Sequence, residues 1–516
     1  MGHQGNNGLA NGHADYLVEE HVLGDPRHLR IVTIGAGAAG LNMARQLELH
    51  MQNFEHVIYE KNSDVGGTWF ENRLGSGEPG LSGMSSHRSD IQVNCFYSPA
   101  PEILEYFRNV AKKYELYKYI KLSHKIVGAT WDEDEGVWNL DVEELSSGKI
   151  FKDWCHFLIN GSGVLNNWKW PDIPGIHSFH GELVHSAAWD PKLSVKGKKV
   201  AVLGCGSSGV QIVPTIQPEV QELVTFIRTP TWITAGFAQD KAGPNGSNFN
   251  FTKEQKDVFR TNPEAYLTYR KEVENELNNR FKFIIKDSVE QEEAVSFLTN
   301  EMKAKLGANP GLIKHLIPDF AVGCRRPTPG NGYLEALIKP NVKVVTEEIS
   351  EIVPKGIKLS SGEVLEVDVF ICATGFDISF APRFPLVGRN GVNLAEQWKT
   401  RPSSYLTMAA ENMPNHFMFL GPNSPVGHGS LLPFIEHATK FKNGTKDGPI
   451  VALHPGSRIH WFHMLESMRC EDWQWTRFNK NRFAYLGNGF SSKEASGRDL
   501  SYYFNAPEEG YQTIKY

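Results

Sequence analysis

Apolar residues fall along this chain in two rhythms. Leu29-Arg30-Ile31-Val32-Thr33-Ile34 is a short apolar run closed by glycine, and it reads as a buried parallel strand. A helical stretch follows, then a second strand at Val57-Ile58-Tyr59-Glu60, which together make a βαβ opening. Ile103, Leu104, Phe107, Val110 and Tyr114 recur at helical spacing and predict an amphipathic helix over about 102–120. Strand signals return at Val137–Val142 and Phe157–Asn160, and Lys199-Val200-Ala201-Val202-Leu203 opens a second βαβ unit. From about 251 to 316 the pattern is charged and helical, with Tyr266, Tyr269 and Val273 near one face, as in an inserted helical piece. Strands resume at Val342–Val345 and Val369–Ala373. The first 27 residues hold little to bury and are expected to form a loose tail, and the stretch beyond about 440 reads as irregular.

Composition narrows the classes. Of 516 residues, 40% are hydrophobic and 22% charged, which is ordinary for globular chains, and the length allows about three domain-sized cores. A formal net charge of −6 gives no basic face for nucleic acid. The six cysteines form no C-x-x-C pair, which points to a reduced compartment, no metal site and no disulfide-reductase chemistry. The N-terminus carries no signal-peptide pattern, Asn6 breaks the myristoylation motif, and no apolar run reaches membrane-spanning length. A cytoplasmic location is therefore expected.

Two glycine loops carry the first chemistry. Gly35-Ala36-Gly37-Ala38-Ala39-Gly40 is a G-x-G-x-x-G between a strand and a helix. Its first glycine permits the turn, the second lets a pyrophosphate approach, and the third lets helix and strand pack closely. Glu60 follows at 60 − 35 = 25 residues, where a carboxylate accepts hydrogen bonds from ribose hydroxyls. Gly204-Cys205-Gly206-Ser207-Ser208-Gly209 repeats the loop, but the matching position, at 228 − 204 = 24, is Arg228. A guanidinium there pairs with a 2′-phosphate that a carboxylate would repel. The first site is thus expected to take FAD and the second NADPH. Two dinucleotide units leave reductases, amine oxidases and oxygenases open.

Between the loops, Phe179, Gly181, His185, Trp189 and Asp190 fit F-x-G-x-x-x-H-x-x-x-W-[PD], the fingerprint of Baeyer–Villiger flavin monooxygenases. Relatives that oxygenate nitrogen or sulfur end this pattern differently. Gly66-Gly67-Thr68-Trp69 with Glu71-Asn72-Arg73 resembles that family's flavin-contacting segment, and Arg228-Thr229-Pro230-Thr231-Trp232 its R-[ST]-P-x-W. Ala373-Thr374-Gly375 resembles its A-T-G segment, Gly421-Pro422-Asn423-Ser424-Pro425 its late flavin-side loop, and Gly323-Cys324-Arg325-Arg326-Pro327 its G-x-K-R-P. The likeness runs over about 29–500 and is nearest to fungal secondary-metabolism members, of the hydroxyversicolorone monooxygenase kind.

The resemblance implies an α/β fold of two Rossmann-like domains, one for FAD and one for NADP, with a helical insertion. It implies that a ketone is oxidised with O2 and NADPH to an ester or lactone through a C4a-peroxyflavin. By position, Arg326 would be the active-site arginine, Arg325 a second phosphate or nicotinamide contact, and Asp90 the family's acidic residue. Gly67, Thr68, Trp69 and Asn72 would contact the flavin, and Ser207, Ser208 and Thr229 the second coenzyme. The expected division runs: tail 1–27, FAD part 28–165, NADP part 166–240, helical insertion 241–320, NADP return 321–368, FAD return 369–516. After Arg73 the chain departs from the family pattern until Phe96-Tyr97-Ser98-Pro99, in a flavin-lining segment. That departure keeps a catalytically impaired FAD-binding paralogue or splice form in view, beside an N- or S-oxygenating enzyme.

Overall fold

A computed structural model describes residues 28–71 and 94–422, apart from 191, 236–239, 280–282, 284–286, 308, 326 and 405–406, together with Leu432 and Ile435. Asn72, Asp90 and Arg326 lie outside the described residues, as do the tail and the segment beyond 435.

Two five-stranded sheets organise the rest, and every strand pairing in both is parallel. In space, the first runs His416–Met418, Phe157–Asn160, Leu29–Ile34, Phe54–Glu60, Ile120–Leu122. The second runs Val342–Val345, Glu222–Phe226, Lys199–Leu203, Val369–Cys372, Glu182–His185. Parallel strands covered on both faces need unbroken apolar sequence, and Val200, Ala201 and Val202 are all fully buried. Helix Ala38–His50 covers the first sheet by burying Leu41 and Ala44 with Ile58, Ile103 and Phe107. Helix Ser207–Ile216 does the same in the second, where Val210 and Val213 meet Val200 and Val202.

A smaller sheet joins three antiparallel strands, His124–Asp132, Val137–Glu144 and Lys149–Cys155, with Leu386–Val387 on its edge. Its Trp138 is fully buried and donates its indole N–H to the Pro414 carbonyl (2.8 Å). Between Thr234 and Phe320 the chain forms helices Lys253–Thr261, Pro263–Asn279, Val289–Leu306 and Pro310–Leu316. Three of these start on side-chain caps, from Thr252, Ser288 and Asn309.

Two expectations change. The helix expected over 102–120 is Ala100–Lys113, because Glu115 turns to φ +53°, a left-handed conformation that ends it before a short 3-10 turn at Leu116–Tyr119. The strand at Val369–Cys372, expected to begin the return to the FAD part, instead pairs with Lys199–Leu203 on one side and Glu182–His185 on the other. The crossing back to the first sheet therefore comes after Cys372. It runs beside the outgoing chain, where the Asp377 N–H donates to the Asn167 carbonyl (2.8 Å).

Candidate active site

The first glycine loop turns at Gly35 (φ +94°), whose N–H donates to the Tyr59 carbonyl across the sheet (2.8 Å). A methyl group added at Gly40 would overlap the Gly35 carbonyl oxygen, so the third glycine is what lets the helix start against the strand. Gly37 and Gly67 face one another, and a Cβ on Gly67 would lie 3.1 Å from the Gly37 Cα. That close approach brings the Gly66-Gly67-Thr68-Trp69 turn against the loop. Trp69 packs beside the cluster of Ile103 and Phe107.

Glu60 is 3% exposed at the end of the second strand. Its Oε2 accepts the Ala36 N–H (2.7 Å) and its Oε1 the Asn62 N–H (2.8 Å). Burial pushes the carboxyl upward, and the two backbone N–H groups pull it back toward the charged form. A buried carboxylate keeps further lone pairs, which suits the two hydroxyls of a ribose.

The second loop has the same construction. Gly204 (φ +113°) donates its N–H to the Phe226 carbonyl (3.2 Å), and a methyl at Gly209 would overlap the Gly204 carbonyl oxygen. Gly206 has nothing within 4 Å of where a Cβ would stand, so an incoming pyrophosphate meets open space. Neither loop helix has a side-chain cap at Gly37 or Gly206, in contrast with the capped helices of the insertion. First-turn N–H groups without a side-chain partner suit a phosphate. These residues fit two dinucleotides.

Arg228 is exposed just past the strand Glu222–Phe226 and makes no ion pair among the described residues. Ser207 is exposed and Ser208 half-buried at the helix start. The Thr229 carbonyl accepts from the Cys205 thiol (3.1 Å), which ties the loop to the R-T-P-T-W run. Arg325 is exposed, with its guanidinium 5.6 Å from the Phe320 ring centroid. Burial pushes the Cys205 thiol up while the Arg325 charge opposes it, so this arginine lies within electrostatic reach of the second loop.

The fingerprint residues line strand Glu182–His185 and its two ends. Phe179 is buried edge-on against Phe370 (centroids 6.4 Å apart), and a side chain at Gly181 would collide with the Phe179 ring and the Asp368 carbonyl. His185 is 1% exposed and stacks flat on Trp168, with centroids 4.3 Å apart and planes 10° from parallel. Its Nδ1 accepts the Ala187 N–H (3.2 Å), and its Nε2 lies 3.2 Å from the Thr374 hydroxyl. Burial lowers its pKa to about 4. Trp189 packs on the second sheet's core, and the Asp190 carboxylate accepts the Lys192 N–H (2.8 Å). The Trp168 partner went unread in the sequence, although Trp168-Lys169-Trp170 is an alternation that puts two indoles on one side of extended chain.

Also unread was the docking of 94–97 on 248–251. The Asn248 amide accepts the Tyr97 N–H (2.8 Å) and donates to the Tyr97 carbonyl (3.0 Å), while Phe96 stacks on Phe249 (5.5 Å). The segment that resumes the family pattern is thereby fixed to the start of the helical insertion. No cluster of three or more His, Cys, Asp or Glu placed to hold a metal exists among the described residues, and no helix there is long and apolar enough to cross a membrane.

The family model described as flavin-binding monooxygenase-like matches residues 28–306. The FAD-binding monooxygenase tazF of Aspergillus terreus is 36% identical over 535 residues, covering 93% of this chain and 95% of that one. A Baeyer–Villiger monooxygenase of Pseudomonas aeruginosa is 31% identical over 424 residues, covering 80% and 75%. Among solved structures, cyclohexanone monooxygenase from Rhodococcus sp. Phi1 bound to NADP+ superposes with a TM-score of 0.68 at 28% identity, over 82% of this chain and 84% of that one. With two dinucleotide loops and a match over more than half its length, this chain belongs to the flavin-binding monooxygenase-like family and is a flavin-dependent monooxygenase.

Proposed function

We propose that this monooxygenase uses FAD and NADPH to insert one oxygen atom beside the carbonyl of a small-molecule ketone, giving an ester or lactone. The observation that carries the reading is the fingerprint strand: Phe179 and Gly181 fix its entry, and His185 fixes its exit on Thr374. The kinship to the Pseudomonas aeruginosa enzyme supports it.

The residues divide by role. Gly35, Gly37, Gly40 and Glu60, with Gly67, Thr68, Trp69 and Asn72, hold FAD. Gly204, Gly206, Ser207, Ser208, Gly209, Arg228 and Thr229 hold NADPH, and Arg325 contributes a second cation. Bound FAD, once reduced by NADPH, supplies the oxygen-activating chemistry. Arg326 keeps its charge at any working pH and holds the negative charge that develops on the ketone oxygen under attack. Asp90, by position the family's acidic residue, completes the catalytic set. His185 touches no reacting atom and ties the end of strand Glu182–His185 to the chain just past Val369–Cys372. We place the FAD unit at 28–165 and from about 373 onward, and the NADP unit at 166–240 and 321–372, with the helical insertion at 241–320.

Product analysis tests this. Incubation with NADPH and a panel of ketones, amines and thioethers is expected to give esters or lactones. Oxides of the amines and thioethers alone would overturn the reading. Arg326→Ala is expected to keep both coenzymes yet lose about 10²–10³ in ester formation, releasing peroxide instead.

A further inference from the structure

Trp232 closes the R-T-P-T-W run and is 1% exposed. Its indole N–H donates to the Phe320 carbonyl (2.9 Å), and its own carbonyl accepts the Thr328 N–H (2.8 Å). One residue therefore grips the chain on both sides of the turn that carries Arg325. Parallel pairing of Ile233 with Thr328 and Thr234 with Pro329 extends the downstream grip, and the Gly330 N–H donates to the Thr234 carbonyl (2.9 Å). Within the turn, the Cys324 N–H donates to the Ala321 carbonyl (3.2 Å), and the Val322 side chain is buried in the same core as Trp232.

The other end of the run is equally held. The Ile227 carbonyl accepts from His315 Nε2 (2.7 Å), and the Thr229 carbonyl accepts from Cys205 in the second glycine loop (3.1 Å). A chain of short contacts thus runs from the phosphate loop through Thr229 to Trp232, and from Trp232 to the arginine turn. Among the described residues, Trp232 is hydrogen-bonded on both sides of that turn.

We propose that Trp232 is a positioning residue that sets the distance between the arginine turn and the second phosphate loop, and so how NADPH is held while it reduces the flavin. This rests on the assignment of that loop to NADPH. Trp232→Phe keeps an aromatic ring in the buried site but removes the indole N–H together with part of the ring system, leaving the Phe320 carbonyl without its donor. The grip through the Trp232 carbonyl stays.

The expected result for Trp232→Phe is an enzyme that retains FAD and is reduced by dithionite as the parent is. Its flavin reduction by NADPH should fall between roughly ten- and a hundredfold, as small misplacements typically do. Backbone hydrogen exchange should rise in the peptide spanning 320–330, with the glycine loop at 35–40 unchanged. Unchanged NADPH reduction together with unchanged exchange would overturn the proposal. If the parent itself is not reduced by NADPH, the coenzyme assignment fails, and exchange over 320–330 alone then decides whether Trp232 holds the turn. Should the variant not fold, the Thr328 amide of the parent decides: protection like that of the sheet core supports the grip, and exchange at the rate of open loop refutes it.

Discussion

The Nε2 of His185 lies 3.2 Å from the hydroxyl of Thr374, across 189 residues of sequence. Because the Nδ1 of the same ring already accepts the Ala187 N–H, the single proton of the neutral imidazole resides on Nε2, which donates to Thr374. The most conspicuous residue of the fingerprint is thus a neutral bridge between two strand ends, and its flat stacking on Trp168 fixes the ring plane.

A pH dependence follows from burial. The pKa of His185 is lowered to about 4 and that of His56 to about 3, from an ordinary 6.5. Below pH 6.5 the unfolded chain takes up protons that the folded chain refuses, so their contribution is complete above that pH and is lost as pH falls through the window toward 4 and 3. His185→Gln is expected to melt with a shallower decline in Tm between pH 7 and pH 5 than the parent, while His56 keeps its own share. An equally steep decline in scanning fluorimetry would show that His185 is charged in the native protein.

The paired glycines offer a second measurement. A methyl at Gly40 or Gly209 would overlap the carbonyl oxygen of Gly35 or Gly204, respectively. Gly40→Ala is expected to purify colourless, having lost FAD. Gly209→Ala should stay yellow yet resist reduction by NADPH while still bleaching with dithionite. Loss of colour in both would mean that the two loops do not serve separate dinucleotides.

Arg228 stands exposed where the first unit has buried Glu60. A charge-assisted phosphate contact contributes on the order of 1.5–3 kcal/mol. Arg228→Ala should therefore raise the KM for NADPH by roughly ten- to a hundredfold and leave that for NADH almost unchanged. Steady-state oxidation of both coenzymes checks it, and equal effects on the two would remove Arg228 from the phosphate site.

Local chemistry was the legible part of this molecule. Each glycine loop writes its turn, its helix start and its close packing within six residues, and Glu60 and Arg228 follow at similar distance because one helix and one strand separate them from the loop. What depended on distant partners was not legible. Val369–Cys372 reads as apolar strand in either sheet, and only its pairing with Lys199–Leu203 and Glu182–His185 assigns it. The helix end at Lys113 turned on one left-handed residue, Glu115, of a type that seldom adopts it. Asn248 and Tyr97 lie 151 residues apart, and no periodicity links them.

The bond between Asp377 and Asn167 joins the returning chain to the outgoing one. Two covalent spans that run side by side behave as a pair of door hinges rather than as a tether: they leave swinging about one line and resist twist and drift in other directions. A protease that severed either span would leave the halves attached through its neighbour, with the domains in register but free to twist. Thr374, three residues before Asp377, is itself held to His185, so the returning chain is pinned at two successive points as it leaves the second sheet.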